Sequence, residues 1–464
     1  MVMTTATSTH ASIEREQVLK RQLSTGQQTM LALGGAIGTG LFLSSGAAAA
    51  TAGPAVVLAY VLMAVVAIWL GAALTEMCVA HPTAGSFGLY AGIYVSPFAG
   101  YLVRQTYWLM QVTATAGHMA AISTYMRFWF PAIPGPLWIV VFSLAILYVN
   151  ARAVGEFGEF EYWFAMIKVA AVALFVPLAL ATLFGWVGDE APGLTNYVAH
   201  GGFFPKGIVG VWLACSFAFY SFVGVEVVAV ASGEAAQPEK TIPPAMRRMV
   251  VSLSLIYVVT LLVLVGILPW NQAGVTESPF VSVLGKSGIA FAAGIMNLVV
   301  LSAALSGANA NLYLVSRTLF SLSRSGFMPK AVGAVNARGA PINALLMAAV
   351  GLGSAVVVQA IWPDSAYLFF VGISLFGAYL VWFMIFVTHL LFRRVWERPG
   401  AAALSYRSPW GRGASWAGAL VVLGLLVSSP WIPGLPSTFG VAPYWMGVMI
   451  LGYWLTRKKA GAAG

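Results

Sequence analysis

Apolar residues fill this chain in blocks of about twenty, separated by short polar stretches, from residue 28 to residue 457. Such a block is what a helix needs to cross the hydrocarbon of a bilayer. The pattern predicts twelve spans, over 28–50, 54–79, 98–127, 135–152, 156–185, 205–232, 246–269, 288–317, 341–362, 364–392, 415–432 and 441–457. Long blocks such as 156–185 are expected to tilt or to run past the hydrocarbon. The polar stretch "SGEAAQPEKTIPPAMRR" (Ser232–Arg248), with three prolines, reads as a loop between spans 6 and 7. The segment "HPTAGSFGLYAGIYVSPFAG" (His81–Gly100) reads as a short helix along the inner face. No low-complexity stretch and no soluble domain stands out.

Composition agrees: 60% of the 464 residues are hydrophobic and 8% charged, against about 25% charged in soluble proteins. Mean hydropathy is +0.86. Residues 1–25 are polar and read as a retained cytoplasmic tail rather than a cleavable leader. Cys78 and Cys215 both lie in apolar segments, so neither a disulfide framework nor a metal cluster is expected. The formal net charge of +10 does not point to nucleic acid, because the basic residues sit in short loops. With the N-terminus inside, 19 of the 24 lysines and arginines fall on the cytoplasmic side, three outside and two (Arg104 and Lys168) within spans. That bias places both termini in the cytoplasm. No HExxH, GxSxG, phosphate-binding loop or paired intramembrane aspartates argue for an enzyme or a nucleotide-driven pump.

Span 1 contains "ALGGAIGTGLF" (Ala32–Phe42), with Gly34, Gly35, Gly38 and Gly40 close together. Each glycine lowers helix propensity by about 1 kcal/mol relative to alanine. Close helix packing of the small-xxx-small kind would explain them. So would a helix broken inside the membrane, tolerated where its freed backbone groups are buried in protein or line a cavity. Free N–H groups at one end then attract an anion and free carbonyls at the other a cation. Span 6 holds a counterpart, "AFYSFVGVEVVAV" (Ala218–Val230), with Gly224 and an ionisable Glu226 inside the apolar run. Interruptions at corresponding places in two halves point to a transporter binding site, and favour the broken-helix reading. Spans 1 and 6 each open a block of five. The expected organisation is a tail over 1–25, five-helix repeats over 26–185 and 205–396 in inverted topology, and two further helices over 413–458.

Several ordered segments resemble the amino acid–polyamine–organocation superfamily, and within it the bacterial amino acid transporter family of permeases. They are "LKRQLSTGQQTMLALGGAIGTGLFL", "AGPAVVLAYVL", "PTAGSF", "GEFEYWFAMIKV", "YSFVGVE", "EAAQPEKTIPPAM", "LPWNQ" and "SRTLFSLSRSGFMPK", between Leu19 and Arg394. The resemblance implies an all-α membrane protein of LeuT-like fold, with discontinuous helices 1 and 6. It implies proton-linked uptake of an amino acid across a bacterial inner membrane, with lipid around it, no cofactor and no metal, as a monomer or weak dimer. Carried over by motif, the N–H groups of Thr39 and Gly40 and the Thr39 hydroxyl would meet the substrate carboxylate. The carbonyls of Ala36, Tyr220 and Val223 would meet its ammonium.

Lys168, in "FAMIKVAAV", falls near the middle of span 5. A lysine there costs about 2.5–3.5 kcal/mol on insertion scales, so a partner or a cavity is expected. It resembles a lysine that, in some members of the superfamily, stands where sodium-coupled relatives hold a cation. The coupling role falls to it, against the alternative of a permanently charged structural lysine. His118 stands in span 3 where many members of the family have an acid; it senses protons or makes an ordinary interhelical bond. Glu226 gates or relays protons, or hydrogen-bonds exposed backbone. Glu76 reads as structural, and Arg104, where the family usually has a small residue, has no assigned role. Met110, Gln111, Thr115 and His118 share one face of span 3, and Asn311 of span 8 stands opposite. With few charges there, a neutral substrate of aromatic or medium size is expected. A proton-coupled symporter, an exchanger and a non-transporting sensor are the three functional readings.

Overall fold

The computed structural model describes residues 36–83, 85–152, 157–188, 191–231, 237–324, 327–334, 342–400 and 403–461. The predicted tail 1–25, the first part of span 1 with Gly34 and Gly35, and residues 232–236 of the span 6–7 loop lie outside the described residues.

Among the described residues every regular element is helical. A π-helical turn, Gly40–Ser44, leads into α1 (Ser45–Ala52), and a 3-10 turn at Gly53–Ala55 joins it to α2 (Val56–Ala80). Next come α3 (Ser86–Tyr94), α4 (Pro97–Arg127), α5 (Gly135–Arg152), α6 (Phe157–Leu183), α7 (Gly207–Phe222) and α8 (Val227–Ala231). The second half holds α9 (Pro238–Ile267), α10 (Pro279–Gly285), α11 (Ala292–Arg324), α12 (Ile342–Ile361) and α13 (Ala366–Trp396), followed by α14 (Gly411–Ser428) and α15 (Pro436–Gly461). Among the described residues eight stretches are long and apolar enough to cross a membrane, the first of them, Gly40–Ala80, running from the second half of predicted span 1 through span 2. Outward-facing side chains such as Leu144, Trp163, Leu174, Leu346 and Leu420 are 60–71% exposed. That is a continuous apolar exterior suited to lipid rather than water.

The expected short helix after span 2 is α3, and α4 starts at Pro97 on an N-cap by Ser96, whose side chain accepts from the Ala99 N–H. One expectation needs correction: the loop read over Ser232–Arg248 is helical from Pro238 onward. Pro243 and Pro244 remove two donors from the ladder there. The carbonyls that lose them, on Glu239 and Lys240, belong to exposed residues that water can reach. Pro238 itself suits the first helical position. α11 likewise runs seven residues past the predicted end of span 8, to Arg324.

Helix α4 lies at the centre, packed by α3, α5, α11, α12 and α13, while α2 packs on α7 and α9. At the end of α2 Glu76 is fully buried and ties three parts of the chain together. Its Oε2 lies 3.0 Å from His389 Nε2 and accepts from Arg393 Nη2 at 2.8 Å and from the Ser408 N–H at 2.9 Å. Its Oε1 accepts from Arg393 Nε at 3.0 Å. His389 Nδ1 in turn sits 2.7 Å from the Ser415 hydroxyl of α14. Removing one member of a buried pair strands the other charge, at a cost of about 3–5 kcal/mol. Glu76→Ala should therefore destabilise the purified protein by about that amount, read as a lower unfolding temperature in detergent, whereas Glu397→Ala, whose own side chain is 34% exposed, should change it little.

Candidate functional site

Two helices are interrupted, and the interruptions meet. In the first, Ile37 and Gly38 are not helical. The Gly38 carbonyl accepts from the N–H groups of both Leu41 and Phe42 at 3.2 Å. The N–H groups of Thr39 and Gly40 thus lie ahead of the first donors of the restarted ladder, where a helix leaves them without an intrahelical partner. In the second, α7 stops at Phe222, Val223 turns extended at ψ 133° and Gly224 takes φ 109°. Helix resumes at Val227 as α8. Only glycine reaches that φ at little cost.

Side chains from elsewhere take up most of the freed backbone. Tyr257 of α9 donates to the Ala36 carbonyl at 3.0 Å and Tyr367 of α13 to the Thr39 carbonyl at 3.0 Å. Ser278 donates to the Phe42 carbonyl at 2.7 Å. Tyr60 of α2 lies 3.0 Å from the Ser221 hydroxyl, and the Tyr60 and Tyr257 rings meet edge-on at 6.3 Å. Glu226, fully buried, accepts the Gly224 N–H at 3.0 Å and the Trp382 indole N–H at 3.3 Å on one oxygen. In the structure it thus bonds the backbone of its own break; among the described residues its other oxygen has no hydrogen-bond partner.

Between the interruptions is a cavity of about 70 Å³. That is well above the roughly 10–15 Å³ needed to hold one water. Ala36, Gly38, Thr39 and Gly40 line it from the first break and Tyr220, Val223 and Gly224 from the second. Gln111 and His118 of α4 and Asn311 and Tyr313 of α11 complete the polar lining, and no Asp, Glu, Lys or Arg is among the lining residues. Thr115, expected there, instead donates to the Gln111 carbonyl of its own helix at 2.8 Å. Met110, also on that face, is fully buried against Gly377 of α13.

The His118 ring is clasped by two glycines. A Cβ on Gly38 would lie 3.2 Å from its Cε1, and one on Gly307 of α11 would lie 2.8 Å from its Cε1 and Nε2. Its Nδ1 is 3.1 Å from the Thr39 hydroxyl, so the histidine links α4 to the first break. Arg104 is far simpler: its aliphatic stem lies on Gly88 of α3.

Lys168 does not line the cavity. It is fully buried, with Glu161 Oε1 at 3.7 Å from its Nζ and both side chains at 0% exposure. Glu161, Tyr257 and Tyr367 were not singled out from sequence. The spacing of Glu161 and Lys168, seven residues or about two helical turns, puts them on one face and was the available signal. Nothing in the sequence paired the tyrosines with particular carbonyls.

The tightest point of the site is Gly40, where a Cβ would come within 2.8 Å of the Ser221 Cα and 3.1 Å of the Tyr220 carbonyl. Backbone there cannot yield as a flexible side chain would, and overpacking typically costs about 1–3 kcal/mol. Gly40→Ala should separate the two breaks and weaken amino acid binding by about tenfold or more, measured as loss of ligand-induced thermal stabilisation in a protein that still folds.

The amino acid permease family profile matches residues 27–461. The aromatic amino acid transport protein AroP of Escherichia coli O6:H1 is 35% identical over 448 residues, 96% of this chain and 97% of its own length. The gamma-aminobutyric acid permease of Bacillus subtilis is 34% identical over 442 residues, covering 95% of this chain and 94% of its own. The amino-acid permease RocC of the same species is 37% identical over 402 residues, 84% of this chain and 85% of its own. With its helices and these relatives, this multi-pass membrane protein belongs to the amino acid permease family.

Proposed function

We propose that the protein is a proton-coupled symporter that carries a neutral amino acid into the cell. The observation that carries this reading is the meeting of two interrupted helices in one uncharged cavity. The N–H groups of Thr39 and Gly40 supply the positive end that a carboxylate needs. Beside them stand the carbonyls of Ala36, Tyr220 and Val223 for an ammonium; Tyr257 occupies one lone pair of the Ala36 carbonyl and leaves the second. An amino acid carries both charges, and half-helix ends are how membrane transporters hold them.

The side chain would lie toward Gln111, His118, Asn311 and Tyr313. A charged side chain would have no counter-charge there, and an unpaired buried charge is expensive. The names of two relatives, an aromatic amino acid transport protein and a gamma-aminobutyric acid permease, fit a site without a fixed charge for the side chain.

In this reading the architecture is twelve spans with two inverted five-helix repeats over 26–185 and 205–396, in a bacterial inner membrane with both termini cytoplasmic. Lys168 is the proton-carrying residue; Glu226 holds the second break and sits beside the cavity without lining it. An exchanger built on the same site is the second reading.

Reconstituted into proteoliposomes, the protein is expected to concentrate one or more neutral amino acids when the outside is made acidic, and to lose that accumulation when a protonophore collapses the gradient. Exchange against internal amino acid with no response to the gradient would instead establish the exchanger.

A further inference from the structure

Glu161 and Lys168 form a buried charged pair that the cavity does not use. Both lie on α6, and Ser306 of α11 donates to Glu161 Oε1 at 2.5 Å. The lysine Nζ stands 3.7 Å from the same oxygen. The second oxygen, Oε2, is buried with no hydrogen-bond partner among the described residues. A carboxylate kept only for stability would have both oxygens satisfied, because each bare buried acceptor costs about 1–3 kcal/mol. Here one oxygen of the carboxylate is left bare.

Position on the helix gives the bare oxygen a use. In the orientation set by the basic loops, α6 enters from the cytoplasm at Phe157 and leaves at Leu183. Glu161 is then about one turn inside the cytoplasmic end, and Lys168 is about 10 Å deeper along the axis. The carboxylate stands between the lysine and the cytoplasm. Ser306 precedes Gly307, against which the His118 ring packs, so the pair adjoins the substrate cavity through one residue of α11. Of the other helices against α6, α9 presents Tyr257 as its buried titratable group, its hydroxyl engaged with Ala36, and α10, whose Phe280 meets Phe175, carries no titratable residue.

We infer that Glu161 is the group through which Lys168 releases its proton to the cytoplasm. This rests on the proton-coupled reading above. In the step, one Lys168 Nζ–H bond breaks and its proton forms an O–H bond on the Glu161 carboxylate, leaving a neutral amine and a neutral acid. The acid then gives that proton to cytoplasmic water and returns to carboxylate. The amine takes its next proton from the outward-facing side, so one proton crosses per cycle. Both members are neutral only between the two transfers; the carboxylate that remains once the acid has lost its proton keeps its hydrogen bond from Ser306.

The test compares the wild type with Glu161→Gln and Glu161→Asp in proteoliposomes, using a radiolabelled mixture of the protein amino acids. Two rates are measured: accumulation driven by an acidic exterior, and counterflow against unlabelled internal amino acids with no gradient. Counterflow needs only the loaded carrier to shuttle and no proton release. Glu161→Gln is expected to lower accumulation on the order of a hundredfold while counterflow persists, and Glu161→Asp to restore accumulation in part. Accumulation by Glu161→Gln at the wild-type rate would overturn the inference, as would loss of both rates in Glu161→Gln and Glu161→Asp alike, which marks a structural residue. A wild type that exchanges but ignores the gradient would remove the symport reading itself, a result separate from anything the variants do. Should Glu161→Gln fail to fold, Ser306→Ala removes the hydrogen-bond donor without altering charge. It is expected to slow accumulation and spare counterflow, and unchanged accumulation would overturn the inference.

Discussion

Backbone N–H and C=O groups inside a bilayer must find partners within the protein, because lipid offers none. Everything at the centre of this molecule follows from meeting that demand at two places where the helix ladder stops. At the first, tyrosines of α9 and α13 and a serine donate to carbonyls of Ala36, Thr39 and Phe42. At the second, a glutamate accepts the Gly224 N–H and is itself held by Trp382. The groups engaged so far are chiefly carbonyls of the first break, while the N–H groups of Thr39 and Gly40 precede its ladder and border the cavity. A cavity bordered by helix-start N–H groups at one side and carbonyls at the other would suit the zwitterion proposed for it.

The same constraint explains why small residues gather here. Two backbones can share their freed groups across a ligand only if they approach closely, and at Gly40 a single added carbon would strike Ser221. His118 occupies the space between Gly38 and Gly307 and bonds Thr39. It thus couples α4 and α11 to the first break without bringing a fixed charge to the cavity. Of the buried ionisable groups, Glu76, His389 and Arg393 form one cluster and Glu161 and Lys168 another, neither lining the cavity, while Glu226 sits beside it on the second break.

Much of this was legible in the sequence because bilayers impose long apolar blocks, and the helices fall where those blocks do. The glycines of "ALGGAIGTGLF" and the Gly224–Glu226 interruption marked the breaks because glycine inside an apolar span is costly without a purpose. The start of α9 was misread, since Pro243 and Pro244 resemble a loop unless one knows that their neighbours' carbonyls reach water. Thr115 shares a face with Gln111 and His118, yet its hydroxyl turns back onto its own helix, a choice that spacing along the helix does not encode. The tyrosine donors and the Glu76–His389–Arg393 cluster join residues about two hundred to more than three hundred positions apart. Such pairings are set by tertiary packing, which periodicity in one chain does not report.

The central claim is that the two interrupted helices hold the charged ends of an amino acid between them. An experimental map of the protein with its amino acid bound tests this most directly. The account predicts the carboxylate within about 3.2 Å of the Thr39 and Gly40 nitrogens and the ammonium at the carbonyls of Ala36, Tyr220 and Val223. A ligand bound away from these groups, or a helix running unbroken through Gly38 or Gly224 in the bound state, would contradict it.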